Sequence, residues 1–365
     1  MSVEERRILA DARRVVVKIG SRSLMAEGGR RFTEIASQIA EQRAKGRSVV
    51  LVSSGAVAAG RQRLGFTERP KELPKLQAAA AAGQSHLMRT YEDAFGAHGV
   101  VVAQVLLTHA DLADRERYLN ARGALEAMLE LGVVPIINEN DTVSVDELKF
   151  GDNDQLAALV AALIGADLLV LLTDVEGLLD PEGKRVPVVT DLQQAMDWVR
   201  PPTDDVGLGG MASKVEAARR ATLHGIPCVI GDARDASLLS HITSGEDVGT
   251  VFLPKGATLP SKKHWIAFTL KPKGSILVDR GAAAVLAQGK SSLLPSGVIG
   301  VRGDFDVGDA VTIVDPDGKE IARGLARYGV YNCARLAGAK STEIGTRIGQ
   351  NGGDVIVHKD ELVVL

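Results

Sequence analysis

The sequence predicts an α/β protein: a three-layer sandwich with a mainly parallel central sheet, followed by a small β-rich, barrel-like domain. Three observations predict it. Short β-branched runs alternate with helix-length segments from Arg14 to Ile230, the pattern of βαβ units. Glycines and polar residues cluster directly after those runs, where parallel sheets bind ligands. Near Pro254 the texture changes, and short strands with turn punctuation follow.

The elements run in order. Arg14–Ile19 (RVVVKI) reads as a buried strand that stops at Gly20-Ser21. Thr33–Ala44 has helical spacing and ends at Lys45-Gly46, a C-cap signal. Ser48–Val52 is a strand ending at Ser53-Ser54-Gly55, and a long alanine-rich helix covers Lys75–Ala97. Strands are expected at Val100–Leu107, Val133–Ile137, Asp167–Leu172 and Pro227–Ile230. Helices are expected at Asn120–Leu131, Asp154–Ile164 and Met211–Leu223. The most apolar stretch, Leu156–Leu172, contains Gly165 and Asp167 and splits better into a helix and a strand than into a membrane span. The expected organisation is a first domain over 1–258, a linker over 259–272 rich in Pro and Lys, and a second domain over 273–365. In the last, Gly274–Asp279, Gly297–Arg302 and Ala310–Val314 read as strands, and Asp315-Pro316-Asp317-Gly318 as a turn.

Composition narrows the function. A net charge of −3 gives the chain no general attraction to nucleic acid or anionic membrane. Two cysteines far apart, Cys228 and Cys333, make no disulfide framework and no cysteine-based zinc site, and suit a reducing compartment. The first ten residues are charged and carry no apolar signal region.

Five motifs carry chemistry. Lys18-Ile19-Gly20-Ser21 puts an ammonium beside a turn whose N–H groups can face an anion, though a snorkelling lysine at a strand end reads the same. Ser53 to Gly60 (SSGAVAAG) lets backbone approach a ligand closely, and it has neither dinucleotide-fingerprint nor P-loop spacing. Asn138-Glu139-Asn140-Asp141 and Gly151-Asp152-Asn153-Asp154 gather carboxylates and amides at one sheet edge. One of them can cap a helix; the rest suit a substrate ammonium, Mg²⁺ or a lysine. Thr173-Asp174 ends a buried strand with groups that suit a purine or ribose edge, or simply start a turn. Gly207 to Lys214 (GLGGMASK) runs glycines into a helix start with a lysine, an anion site by dipole and charge.

In this order, KIGS, SSGAVAAGR, LNARGAL, VVPIINEND, KFGDND, LLTDVEGL and GGMASK resemble the amino acid kinase family over nearly the whole chain. The branch they are most similar to phosphorylates the side-chain carboxylate of free L-glutamate at the start of proline synthesis. The resemblance implies that Lys18 and Lys214 flank the transferred phosphoryl group and that Asp154 holds both lysines. It implies an acceptor pocket of Ser54, Gly55, Asn138, Asp141, Asp152 and Asn153. For ATP it implies Lys18, Gly20, Ser21, Thr173, Asp174, and the run Leu208, Gly209, Gly210, Met211, Ala212, Ser213 and Lys214. Mg²⁺ is expected on the ATP, without direct protein ligands. Proline as feedback inhibitor, glutamate-5-semialdehyde dehydrogenase as functional partner, a dimer or tetramer, and a cytoplasmic location are further implications. The glycine run departs from the family pattern: it is shorter, and Leu208 stands where a threonine hydroxyl is expected.

Sister enzymes acting on acetylglutamate, aspartate, uridylate or carbamate are one alternative. The other is an RNA-binding protein whose kinase fold is a relic, which intact Lys18, Asp154 and Lys214 argue against. A free α-ammonium calls for nearby carboxylates, so the Asp141/Asp152 cluster favours a free amino acid. The segments GSILVDRGAAAVL and IARGLARYG resemble a PUA domain, a module that elsewhere binds RNA. Here eleven Lys+Arg balance eleven Asp+Glu over 273–365, a charge balance that offers RNA no electrostatic footprint and favours a structural or regulatory role.

Overall fold

The computed structural model describes residues 3–143, 153–199, 210–254, 261–349 and 353–364. The chain divides into two compact units, Met1–Thr258 and Leu259–Leu365.

In the first unit the β-branched runs become strands β1 (Arg14–Ile19), β2 (Ser48–Ser53), β3 (Val102–Leu107), β4 (Val134–Glu139), β5 (Leu168–Thr173), β6 (Val188–Val189), β7 (Cys228–Asp232) and β8 (Thr250–Phe252). They form one sheet in the order β3-β4-β2-β1-β5-β7-β8-β6. All neighbours are parallel except β7 and β8. The sequence did not signal β6 and β8: at two and three residues they are too short for a period to register.

Central β1 carries side chains to both faces with a two-residue period. Val15, Val17 and Ile19 join a core with the helices Arg30–Ala44 and Leu73–Gly96, where Phe32 and Tyr91 pack edge to face at 4.8 Å between ring centroids. Lys18 falls on the alternate positions, and its partner Asp154 lies on the Asn153–Ile164 helix, which packs against β1, β2 and the Met211–Leu223 helix. Helices on both faces give the three layers expected. The apolar stretch does split, into the Asn153–Ile164 helix and β5. No described helix is long and apolar enough to cross a membrane.

The Ala56–Arg63 helix packs on Leu73–Gly96 with backbone nearly touching backbone. A Cβ placed on Gly60 would lie 1.7 Å from the Ala79 carbonyl oxygen, and one on Gly83 would lie 1.8 Å from that of Ala56. Only glycine permits this approach. Gly123 differs: it is exposed within the Arg115–Glu130 helix, and nothing lies within 4 Å of its imagined Cβ. Gly123→Ala should therefore stabilise the protein by about 0.5–1 kcal/mol through reduced chain entropy. A thermal melt that shifts downward would contradict this.

The second unit is a sheet of β9 (Gly274–Val278), β10 (Val298–Gly303), β11 (Ala310–Val314), β12 (Glu320–Leu325) and β13 (Leu362–Val364), in the order β10-β9-β11-β12-β13. The Asp315 turn joins β11 to β12 as expected, with the Asp315 carboxylate accepting from the Asp317 and Lys319 amides. Residues 261–269, expected within a linker, instead form a helix and a π-helical turn. Trp265, Ile266 and Ala267 are buried, and the Ala267 carbonyl accepts from Arg323 at 2.7 Å. Proline and lysine composition masked that apolar triplet.

Candidate active site

At the carboxyl end of β1, Lys18 is 4% exposed, a costly place for an ammonium unless it is paired. Its Nζ lies 2.5 Å from Asp154 Oδ1. Lys214, on the first turn of the Met211–Leu223 helix, places its Nζ 3.0 Å from Asp154 Oδ2. One fully buried carboxylate thus holds two ammoniums, one on each oxygen.

The local electrostatics explain the arrangement. Asp154 sits in the first turn of its helix, where the positive dipole end favours an anion. Lys214 sits at the same end of its own helix, where a cation is disfavoured, so it depends on Asp154. Burial pushes the Asp154 carboxyl up, but the charges and hydrogen bonds of Lys18 and Lys214 outweigh it and hold the group below the usual carboxylate range. Burial, aided by the Asp154 charge, keeps the Cys228 thiol well above its usual value, so it stays protonated and unreactive. The Gln155 amide donates to the Ser213 carbonyl at 3.1 Å, tying the two helix starts together.

A second cluster adjoins the triad. Asn153 Nδ2 donates to the Ser53 carbonyl at 2.7 Å and to Asn138 Oδ1 at 2.8 Å. Asn138 Oδ1 also accepts the Glu139 amide, and its Nδ2 donates to Gln84 Oε1 at 2.8 Å. Ser53 Oγ pairs with the Tyr91 hydroxyl. These groups come from the ends of β2 and β4, one helix start and the middle of Leu73–Gly96.

Of the residues singled out in the sequence, the structure joins Lys18, Asp154 and Lys214 by ion pairs, and Asn138 and Asn153 by a hydrogen bond. Gly20 sits beside the triad: a Cβ there would be 3.6 Å from Lys18 Nζ. Ser21 begins the short helix Ser21–Met25. Ser54 follows β2, its amide donating to the Ile19 carbonyl, and Gly55 takes φ 111° to start the next helix. Asp141 stands in the turn after β4. Thr173 ends β5, beside β1, and its hydroxyl donates to Asp174, an exposed side chain 3.9 Å from Arg22. Gly210 caps the helix whose first turn holds Met211, Ala212 and Ser213. Asp152, Leu208 and Gly209 lie outside the described residues. Sequence reasoning missed Gln84, Tyr91 and Gln155. The only signal for Gln84 is a polar side chain at a buried position of an alanine-rich helix.

Paired lysines on a buried carboxylate, at the carboxyl end of a parallel sheet and beside a helix N-terminus, define a site built for a polyanion such as a transferring phosphoryl group. The chain belongs to the amino acid kinase family, whose model matches residues 13–232. The PUA domain model matches residues 274–347. Among curated relatives, the glutamate 5-kinase of Pelobacter propionicus is 48% identical, covering 99% of this chain and all of its own. That of Geobacter sulfurreducens is 49% identical over 98% of this chain and 99% of its own. Among solved structures, N-acetylglutamate synthase from Neisseria gonorrhoeae, complexed with coenzyme A and N-acetyl-glutamate, matches with a TM-score of 0.50 at 18% identity. It covers 70% of this chain and 62% of that one, a likeness of fold.

Proposed function

We propose that the chain transfers the γ-phosphoryl group of ATP to the side-chain carboxylate of L-glutamate, giving γ-glutamyl phosphate and ADP at the first step of proline biosynthesis. The observation that carries this reading is the convergence of Lys18 and Lys214 on Asp154. Full-length similarity to glutamate 5-kinases supplies the acceptor.

A carboxylate oxygen of glutamate attacks the γ-phosphorus. The bond from that phosphorus to the β–γ bridging oxygen breaks, and ADP leaves with the electron pair. No proton needs to move, so the protein's work is alignment and neutralisation of charge. Lys18 and Lys214 offer ammoniums to the equatorial oxygens, and Asp154 keeps both charged and in place. Both Asp154 oxygens already face ammoniums, so this carboxylate is not free for a cation. Mg²⁺ would come with the nucleotide and would neutralise phosphate charge there. Gly20, Ser21, Thr173, Asp174 and Gly210 to Ser213 are assigned to the nucleotide, together with Leu208 and Gly209. Ser54, Gly55, Asn138, Asp141, Asp152 and Asn153 are assigned to glutamate. The family resemblance further supports proline as inhibitor, a dehydrogenase that consumes the labile acyl phosphate, a homo-oligomer and a cytoplasmic enzyme with a PUA domain of structural or regulatory role.

Incubation with MgATP, hydroxylamine and separate acceptors tests the reading: glutamyl hydroxamate forms, and Lys214→Ala lowers its rate by about 10³-fold, in the range of other cations that stabilise phosphoryl transfer. Hydroxamate from a different acceptor alone would overturn the substrate, and an unaltered rate in Lys214→Ala would remove that lysine from the mechanism.

A further inference from the structure

We infer that Gln84 is a positioning residue for the acceptor substrate, acting through Asn138 and Asn153. The inference rests on the glutamate kinase reading above.

The amide orientations in this buried cluster follow from groups that have only one role. The Glu139 backbone N–H can only donate, so the Asn138 atom facing it is the oxygen. The Asn138 nitrogen therefore faces Gln84, and Gln84 must present Oε1. The Ser53 carbonyl can only accept, which fixes the nitrogen of Asn153 and directs it also to Asn138 Oδ1. The chain of amides thus has one consistent setting, and its far end is anchored on a helix of the opposite layer.

That setting leaves something over. Gln84 is 8% exposed, and its Nε2 is buried with no hydrogen-bond partner among the described residues. A buried amide with unspent donors costs stability, and Gln84 makes up only part of that cost through its bond to Asn138. What Gln84 contributes to this cluster is therefore orientation, through the bond that aims the Asn138 amide. Gln84 sets Asn138, and Asn138 sets Asn153, the residue directly before Asp154. Its oxygen is the part that matters here.

Gln84→Met keeps length and apolar bulk and removes both the acceptor and the unspent donors. The KM for glutamate should rise about tenfold, the factor of one neutral hydrogen bond, while kcat and the KM for ATP stay within about twofold. The melting temperature should stay within about 2 °C, because one orphaned donor on Asn138 replaces those on Gln84. Gln84→Asn, which keeps an amide too short to reach Asn138, should give the same split. In an Asn138→Ala background, Gln84→Met should add nothing, since the effect passes through Asn138. A melting temperature that falls while the two KM values rise together, or a KM for glutamate that does not move, would overturn the inference and leave the glutamate kinase reading standing. A wild-type protein that makes no glutamyl hydroxamate would remove both.

Discussion

Asp154→Asn should lower kcat/KM for phosphoryl transfer by about 10³-fold and destabilise the fold by about 3–5 kcal/mol. The carboxylate is fully buried and each of its oxygens carries an ammonium, at 2.5 and 3.0 Å. Asparagine keeps the shape and removes the charge. Two buried ammoniums then face each other without a counter-ion, and each must swing towards water or give up its proton. Either outcome withdraws positive charge from the migrating phosphoryl. Hydroxamate kinetics and thermal melts measure both effects, and a variant within tenfold of wild type would contradict the charge-holding role.

The same site predicts a pH dependence. The Asp154 carboxyl is held below its unfolded-state value. Such a group adds stability that is complete above the ordinary carboxylate range and is lost as pH falls through the folded-state value. Wild type and Asp154→Asn should therefore differ most near neutrality and converge in acid. Stability curves that stay parallel down to low pH would remove the triad from the fold's energetics.

The second large effect is expected at the helix crossing. Gly60→Ala or Gly83→Ala would drive a methyl group into a backbone carbonyl, at 1.7 and 1.8 Å respectively. A clash with the far end of a side chain could relax; this one requires two helices to separate. We expect the upper end of overpacking costs, about 3 kcal/mol, or roughly 6–12 °C in melting temperature for a unit of this size. The Ala56–Arg63 helix starts directly after Ser54 and Gly55, so separation also moves the assigned glutamate pocket. The KM for glutamate should rise more than that for ATP. Gly96→Ala is the control: the residue ends the same long helix with nothing within 4 Å. Equal losses in all three variants would refute the close-approach argument.

Much of this was legible in the sequence because it depends on local chemistry. RVVVKI and Asp167–Leu172 are β-branched or leucine runs that read as buried strands; the first matches its observed bounds and the second is offset by one residue. The site motifs were legible because parallel sheets put polar turns at strand ends. The family resemblance, not the spacing, paired Lys18 with Lys214 and both with Asp154. The crossing of Gly60 and Gly83 was not legible, since a glycine in a helix looks the same whether a carbonyl or solvent faces it. Gln84 stayed hidden for a related reason: its importance lies in which amide atom it presents, and that follows from partners far along the chain. The buried Trp265-Ile266-Ala267 turn was obscured by flanking prolines and lysines, whose composition speaks for exposure.

The strand order has a consequence for biosynthesis on the ribosome. β1, synthesised first, finds its neighbour β5 only when Leu168 can pair with Val15, and the second ammonium arrives later still with Lys214. Asp154, the carboxylate Lys18 rests on, is made before both, but until Lys214 emerges it can hold only one of its two ammoniums, and the nascent chain cannot perform the chemistry. Onset of turnover during translation would therefore report that the long-range pairings of the first unit's sheet have closed.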